Sequence, residues 1–251
     1  QKLSLYVTGQ NLLTFTSYSG FDPEVNAFES IVENKLEPEI YSFEMLEAFD
    51  KFIQQEGLQQ YPIHIEIETG MNRLGFVSED MDKLSVALQL TSSFKIQTVF
   101  SHLAASEEAS QDEFTLHQFK IFDKAEKELQ EKLGYTFIRH ISNTAAVIRH
   151  PQLQMDMIRL GIGLYGVDSS GTGTLNLQTV ATLKSTIAQV KHLMKGDSVS
   201  YNRKGVVNKD AVIATIRIGY ADGYPRRLGN GAGSVWIEGK LAPVMGNVCM
   251  D

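Results

Sequence analysis

Cysteine, tryptophan and proline are scarce in this sequence of 251 residues, which contains one, one and six of them. The only cysteine, Cys249, cannot form a disulfide within the chain. The six histidines have no close cysteine or histidine partner at the spacing of a zinc site. We therefore expect no metal site, and this cysteine usage is typical of a protein of the reducing cytoplasm.

Long apolar runs and an excess of basic residues are also missing. No apolar run approaches the roughly 20 residues that a membrane helix needs, and no charged and then apolar leader opens the chain. Lysine and arginine number 23 against 30 aspartate and glutamate, a net charge of −7. The basic residues form no stripe that could neutralise phosphates. These absences argue against a membrane partner for residues 24–251 and against nucleic acid.

The composition that is present is that of an ordinary globular protein, with 43% hydrophobic and 21% charged residues. From Leu36 onward, short β-type runs alternate with longer amphipathic stretches, which is typical of βα units. The longest predicted helix runs over 111–133 and ends at Gly134. Five strands are predicted in this part, at 39–41, 61–68, 94–100, 136–141 and 158–165.

The pattern changes after Gly166, where a loop rich in glycine, serine and threonine precedes segments rich in valine, isoleucine and threonine. We predict strands at 180–190, 211–218 and 234–237, and therefore a mostly-β domain. The predicted domains are residues 24–168 and 169–251. Residues 1–23 fit neither and are predicted to be a foreign β segment, because they read as a strand and turn without a helix partner.

Polar side chains follow the ends of successive predicted strands. The carboxyl ends of strands in a βα barrel converge on one face, where such folds keep their sites. Each residue also has a structural alternative, since His102 could be a core histidine, Arg73 and Arg159 ion-pair partners and Asn143 a helix cap. Their number on one face nevertheless favours a functional site. The candidates are Arg73, His102, Asn143, Thr144 and Arg159.

The string Gly161-Ile-Gly-Leu-Tyr-Gly166 matches the G-x-G-x-x-G pattern of dinucleotide-binding folds. That motif needs a helix after it, whereas a loop follows here, so the pattern argues only weakly for a dinucleotide. A phosphate could still rest on these backbone amides, as it does after the last strands of many barrels.

Tyr220 follows the predicted 211–218 strand. A tyrosine in this position can donate or accept a proton in catalysis, or simply pack within the β domain. The spacing alone leaves both interpretations open.

Six motifs occur together in one order. With them, residues 24–251 resemble alanine racemase, a fold-type III enzyme that uses pyridoxal 5′-phosphate, and most closely the racemase part of bifunctional ligase–racemase proteins of cell-wall synthesis. The resemblance implies an α/β fold, here a partial TIM (β/α)8 barrel followed by an incomplete, mostly-β C-terminal domain. The motifs are Gly70-Met-Asn-Arg-Leu-Gly-Phe76, Ser101-His-Leu103, Ser142-Asn-Thr144, Arg159-Leu-Gly-Ile-Gly-Leu-Tyr-Gly166, Ile218-Gly-Tyr-Ala-Asp-Gly-Tyr-Pro225 and Pro243-Val-Met-Gly-Asn-Val-Cys-Met-Asp251.

The resemblance also implies an activity, the interconversion of L- and D-alanine for peptidoglycan, in a cytoplasmic homodimer. It assigns ten residues to three roles. The catalytic residue is Tyr220, a base that enters the partner subunit's site; the substrate-binding residues are Arg73, Met250 and Asp251; and the cofactor-binding residues are His102, Asn143, Thr144, Arg159, Gly161 and Ile162.

Some family members carry a carbamylated lysine that orients the arginine matched by Arg73, and the aligned position here is Glu66. We hypothesise that the Glu66 carboxylate replaces the carbamate as the partner of Arg73. Glu66→Gln should then weaken the site without any requirement for bicarbonate.

The sequence also departs from the family pattern. No lysine lies in the Lys-Ala-Asx-Ala-Tyr-Gly context of the cofactor lysine. Residues 1–22 instead resemble the C-terminal region of SusC-like TonB-dependent outer-membrane receptors. We therefore expect a truncated or chimeric chain that is inactive alone. The alternatives are a noncatalytic homologue of the cofactor-binding barrel and a fragment of an outer-membrane receptor fusion.

Overall fold

The computed structural model describes residues 25–251. Their backbone forms two compact units that divide between Val180 and Ala181. The predicted β segment at 1–23 lies outside the described residues, and the domain boundary predicted at residue 168 stays a prediction. None of the helices in the described part of the chain combines the length and the apolar character that crossing a membrane requires.

The first unit alternates helices and strands. Its four strands pair in parallel and lie in chain order, β1-β2-β3-β4, in one sheet. This is the arrangement of consecutive βα units that the sequence predicts. The elements are α1 (Val25–Glu33), β1 (Glu39–Ile40), α2 (Phe43–Gln55), β2 (Tyr61–Glu66), α3 (Met81–Gln89), β3 (Phe94–Phe100), α4 (Asp112–Leu133), β4 (Ile138–His140) and α5 (Thr144–Arg149).

Local sequence signals determine where the helices of this unit begin and end. The Ser42 hydroxyl caps α2 by accepting a hydrogen bond from the Met45 amide at 3.2 Å. Helix α4 ends at Gly134, whose φ of 74° is left-handed and whose amide donates to the Gln130 carbonyl. Glycine is suited to this cap because it has no Cβ to clash at positive φ.

Both faces of the sheet are buried. Ile63, Ile65 and Ile67 point to one face and belong to the apolar core, together with residues of α2 and α4 such as Phe49 and Phe122. The opposite face carries several polar side chains that are buried as well. The polar face contains Glu39, His64, Glu66, Thr98 and His140.

Two predictions for this unit need correction. The strand predicted at 158–165 is wrong, because Ile162–Tyr165 forms a 3-10 turn between glycines, with Gly166 at a φ of 80°. Leu164 and Tyr165 are exposed there, so the apolar run does not mark a buried strand. Helix α1 was not predicted, and it buries Phe28 and Ile31 in the core.

The second unit is built from antiparallel strand pairs, which confirms the mostly-β prediction. Residues 181–251 contain no α-helix. The strand predicted at 180–190 begins only at Ile187, where pairing with Ile216 starts. The pairs are β5 (Ile187–Leu193) with β8 (Ala211–Ile216), β6 (Ser198–Val199) with β7 (Gly205–Val206), and β9 (Ser234–Ile237) with β10 (Lys240–Pro243).

Candidate active site

The Arg159 guanidinium is fixed against the ends of β3 and β4. Its Nη2 donates to the Ser101 carbonyl at 2.6 Å and to the Ile141 carbonyl at 3.4 Å, and its Nη1 contacts the ring of His140. Burial lowers the pKa of Arg159 to about 10, although the charges of Glu66 and Glu39 oppose this shift. The guanidinium therefore stays charged at neutral pH, with a fixed orientation.

A chain of buried polar groups runs across the sheet behind Arg159. The Thr98 hydroxyl lies 2.8 Å from His64 Nδ1 and 3.0 Å from His140 Nε2. His64 Nε2 lies 3.1 Å from a carboxylate oxygen of Glu37. Burial is the main cause that lowers the pKa of both histidines, so their rings are neutral.

Because both histidine rings are neutral, the direction of every hydrogen bond in this row of polar groups is fixed. Arg159 donates to His140 Nδ1, His140 Nε2 then carries its proton and donates to Thr98, and the Thr98 hydroxyl donates to His64 Nδ1. His64 is left with its proton on Nε2, which faces Glu37. The chain thus sets the tautomer of both histidines and the position of Arg159. The sequence analysis singled out only Arg159 among these residues.

Arg73 lies at the edge of the same polar face. Its Nη2 is 3.9 Å from Oε1 of Glu66, which is buried at the end of β2. The Arg73 backbone amide donates to the Glu68 carboxylate at 3.4 Å, so the turn after β2 also positions it. The sequence analysis gave Arg73 two interpretations, as an ion-pair partner and as the partner of Glu66. Both describe the same contact, between Arg73 and Glu66.

His102 lies beside Arg159, with Nδ1 at 3.5 Å from Arg159 Nη2. Burial, followed by the charges of Arg159 and Arg73, lowers the pKa of His102 to about 4. Its ring is therefore neutral at physiological pH. A neutral imidazole next to two arginines can stack on a flat ring without adding a third positive charge.

The lowered pKa of His102 predicts a pH dependence of stability. Between about 4 and 6.5 the unfolded chain binds a proton at this residue that the folded chain does not bind. The free energy of unfolding should therefore fall as the pH falls from 6.5 to 4. Other buried histidines contribute in the same direction, so the measurement is the difference between the wild type and His102→Gln in denaturant titrations. Equal pH slopes for the two proteins would contradict the prediction.

Asn143 and Thr144 hold the start of α5 and the glycine loop. The Asn143 side chain accepts from the Ala146 amide at 3.0 Å, so it is a helix cap. The Thr144 hydroxyl accepts from the amides of Gly161 and Gly163 at 3.0 and 3.3 Å. A Cβ on Gly163 would lie 2.7 Å from Thr144 Cγ2, so only glycine allows this approach. Ile162, between the two glycines, is exposed.

The second unit brings Tyr220 next to the last residues of the chain. The Tyr220 amide donates to the Cys249 carbonyl, and the Ala221 amide donates to the Met250 carbonyl, both at 3.0 Å. The Tyr220 side chain is 42% exposed, and the Arg226 guanidinium lies 5.5 Å from its ring centre. Tyr220, Met250 and Asp251 thus form one local group.

Tyr201 is a second tyrosine of this unit that the sequence analysis did not single out. It is 70% exposed and lies among three non-glycine residues with left-handed backbone, Ser200, Asn202 and Arg203, at φ values of 71°, 56° and 56°. Positive φ values at non-glycine residues indicate backbone strain in this segment. No sequence signal marks this segment, because none of its residues with positive φ is a glycine.

Sequence-family models of the two alanine racemase domains match nearly the whole chain. The model of the N-terminal domain matches residues 14–169 and that of the C-terminal domain matches residues 180–251. The chain belongs to the alanine racemase family. Its two units are accordingly the α/β barrel domain and the β domain of that family.

Individual alanine racemases support the assignment. Alanine racemase 1 of Clostridium acetobutylicum is 36% identical over 236 residues, which cover 92% of this chain and 60% of the relative. Alanine racemase of Clostridium difficile 630 superposes with a TM-score of 0.76 at 32% identity, covering 90% of this chain and 59% of that one. A Bartonella henselae alanine racemase with covalently bound pyridoxal phosphate superposes with a TM-score of 0.74 at 28% identity, covering 91% and 61%.

The comparisons also bear on the predicted chimera. The chain spans about three fifths of the length of these alanine racemases. The family model begins at residue 14, inside the segment that was predicted to be foreign. The comparisons give no support to the receptor resemblance of residues 1–22, nor to the noncatalytic and receptor-fusion alternatives.

Proposed function

We propose that the protein is an alanine racemase that interconverts L- and D-alanine with pyridoxal 5′-phosphate. The observation that carries the proposal is Arg159, a charged guanidinium held by two carbonyls and a neutral histidine at the carboxyl ends of the strands. The names of the family relatives support the substrate.

The residues of the first unit fit the cofactor. The glycine loop at 161–163 approaches the Thr144 hydroxyl closely, and a cradle of amides and a hydroxyl suits a phosphate. Neutral His102 suits the face of a pyridine ring. Thr144, Gly161 and Ile162, next to the Asn143 cap, would hold the phosphate, and Arg73 would lie by the phenolic oxygen.

When bound, pyridoxal phosphate supplies an electron sink for the charge that forms when the α-proton of alanine leaves. Arg159 would face the pyridine nitrogen. Because this guanidinium stays charged at neutral pH and so keeps its own proton, it would leave that nitrogen unprotonated and would limit how far the charge is delocalised. This favours returning the proton to the same carbon, which is racemisation, over other reactions.

The second unit would provide the remaining groups. Tyr220 would carry a proton to or from the α-carbon in the partner subunit's site, and Met250 with Asp251 would contact the alanine carboxylate. We also propose a cytoplasmic homodimer that supplies D-alanine for the cell wall. Support for these roles comes from the family membership and from the local group that Tyr220 forms with Met250.

The direct test is an assay of alanine racemisation. The protein, expressed from its complete coding sequence, is incubated with L-alanine and pyridoxal phosphate, and D-alanine is measured with a D-amino-acid oxidase. The proposal is supported if L-alanine is converted to D-alanine, if D-alanine is converted to L-alanine, and if both reactions reach the same equilibrium mixture. Cofactor binding without racemisation of alanine would overturn it.

The proton-carrying role is tested with two tyrosine variants. Tyr220→Phe removes only the hydroxyl and is expected to lower kcat by about 10²–10⁴-fold, the usual contribution of a positioned acid or base. Tyr201→Phe is the matched comparison, since Tyr201 is exposed in the same unit. Loss of activity in Tyr201→Phe with Tyr220→Phe unaffected would assign the role to Tyr201 instead.

The cradle is tested with two variants of Thr144. Thr144→Val keeps the shape but removes the hydroxyl that accepts from the Gly161 and Gly163 amides and would contact the phosphate. We expect the cofactor dissociation constant to rise about tenfold, equivalent to one lost hydrogen bond to the phosphate. Thr144→Ser keeps the hydroxyl and should bind nearly as well as the wild type. Absorbance titration with pyridoxal phosphate measures both, and equal affinities for Val and Ser would exclude this role.

A further inference from the structure

Two glutamates share the polar side of the sheet. Glu39 is the first residue of β1 and Glu66 is the last residue of β2, and these strands pair in parallel with Glu39 opposite His64. Because side chains alternate along a strand, Glu39, His64 and Glu66 share one face. Glu39 is 7% exposed and Glu66 is 3% exposed. Two carboxyl groups are thus buried on the same face of neighbouring strands.

The hydrogen bonds of this pair are incomplete if both groups are ionised. Among residues 25–251, neither carboxyl oxygen of Glu39 accepts a hydrogen bond, and Oε2 of Glu66 accepts none. Only Oε1 of Glu66 faces a cation, at 3.9 Å from Arg73 Nη2. One proton on Glu39 would reduce this deficit from three oxygens to one, because the acid could donate to Glu66 Oε2 and leave Oε1 of Glu66 for Arg73.

Electrostatics favour the same arrangement. Burial raises the pKa of Glu39 to about 9, and the neighbouring Glu66 carboxylate, which can accept a hydrogen bond from the acid and repels the ionised form, acts in the same direction. The charges of Arg73 and Arg159 oppose the shift but are outweighed. The fourth neighbour, His64, is neutral because burial lowers its pKa. Two like charges in one buried place cannot both be retained at low cost.

We propose that Glu39 and Glu66 form one acid–carboxylate pair, which shares a single proton and presents one negative charge to Arg73. Glu39 is then a positioning residue, because it acts on Arg73 through Glu66. Whether the pair shares a proton does not depend on racemase activity, whereas the role of Arg73 in cofactor and substrate binding rests on the proposed function. The two parts are therefore tested separately.

The shared proton is tested by NMR of the full protein labelled with ¹³C at the glutamate carboxyl carbons. The wild type should show a glutamate carboxyl that is still protonated at pH 7. Glu39→Gln should remove this signal, and Glu66→Gln should shift its titration to lower pH. The matched control is Glu126→Gln, because Glu126 is also buried but is paired with Arg139; this variant should leave the signal in place.

Two results overturn the pair. One is that Glu39 is ionised at pH 7 in the wild type, which the wild-type titration decides even if a variant fails to fold. The other is that the Glu39 titration is the same in Glu66→Gln as in the wild type, since burial alone then explains it. Neither result depends on alanine turnover, so neither is confused with failure of the proposed function.

The positioning role is tested by comparing Glu39→Gln with Glu39→Leu. The glutamine amide can donate to Glu66 as the acid does, so this variant should keep the wild-type affinity for pyridoxal phosphate. Leucine cannot donate, and the affinity should fall about tenfold, as expected for one lost hydrogen bond. Equal affinities for the two variants would overturn the role, and the NMR result would still stand for the pair.

Discussion

Arg159→Lys is expected to lower the rate of alanine racemisation about a hundredfold, because small displacements of a positioning group have effects of this size. Lysine keeps the positive charge but has no planar fork to contact the Ser101 carbonyl, the Ile141 carbonyl and His140 together. The measurement is kcat in both directions with saturating pyridoxal phosphate.

The control for this variant is Arg139→Lys. Arg139 is a partly exposed arginine of β4 that pairs with Glu126 and Asp156 and takes no part in the proposed site. The Arg139→Lys variant should retain the wild-type kcat. Equal kcat values for Arg159→Lys and Arg139→Lys would contradict the prediction. They would mean that Arg159 contributes only its positive charge and not the orientation of its guanidinium.

Phe49→Ala is expected to lower the free energy of unfolding by about 3–5 kcal/mol, as buried phenylalanine truncations do. Phe49 of α2 is fully buried. Its ring centre lies 5.1 Å from that of Phe28, 5.6 Å from Tyr61 and 5.7 Å from Phe94. One side chain thus joins α1, α2, β2 and β3. Urea denaturation followed by circular dichroism measures the change.

The comparison for Phe49 is Leu90→Ala. Leu90 is 83% exposed, directly after α3, so its truncation should change stability by less than about 0.5 kcal/mol. A loss below about 1 kcal/mol for Phe49→Ala would mean that the aromatic cluster relaxes into the space, and would contradict the tight packing of these helices on the sheet.

Strong local signals made the first unit predictable. The alternation of Ile63 and Ile65 with His64 and Glu66 defines β2, and the Gly134 cap defines the end of α4. The signals were weaker where an apolar run is not buried: residues 162–165 contain the same residue types as a strand, but the surrounding glycines bend the backbone into a turn. Composition does not distinguish these cases, because burial depends on neighbours that are distant in sequence.

The site was predictable only in part, for a related reason. Arg159 and His102 follow strand ends, and the sequence indicates such positions. His64, Thr98 and His140 lie within strands, where alternating polar residues usually indicate a solvated face. In this sheet both faces are buried, so the same pattern marks an internal hydrogen-bond chain. The distinction requires knowing that the polar face is covered, which is a property of the tertiary structure.

The order of the parallel sheet has a consequence for biosynthesis. Because β1, β2, β3 and β4 are neighbours in the same order as in the chain, each strand can pair as soon as the next βα unit has left the ribosome. Within the sheet that the structure describes, each pair of neighbouring strands is separated in the chain by a single βα connection. We therefore expect assembly from the N-terminal side during translation, in which the exposed edges of β1, β2 and β3 are each covered by the strand that follows.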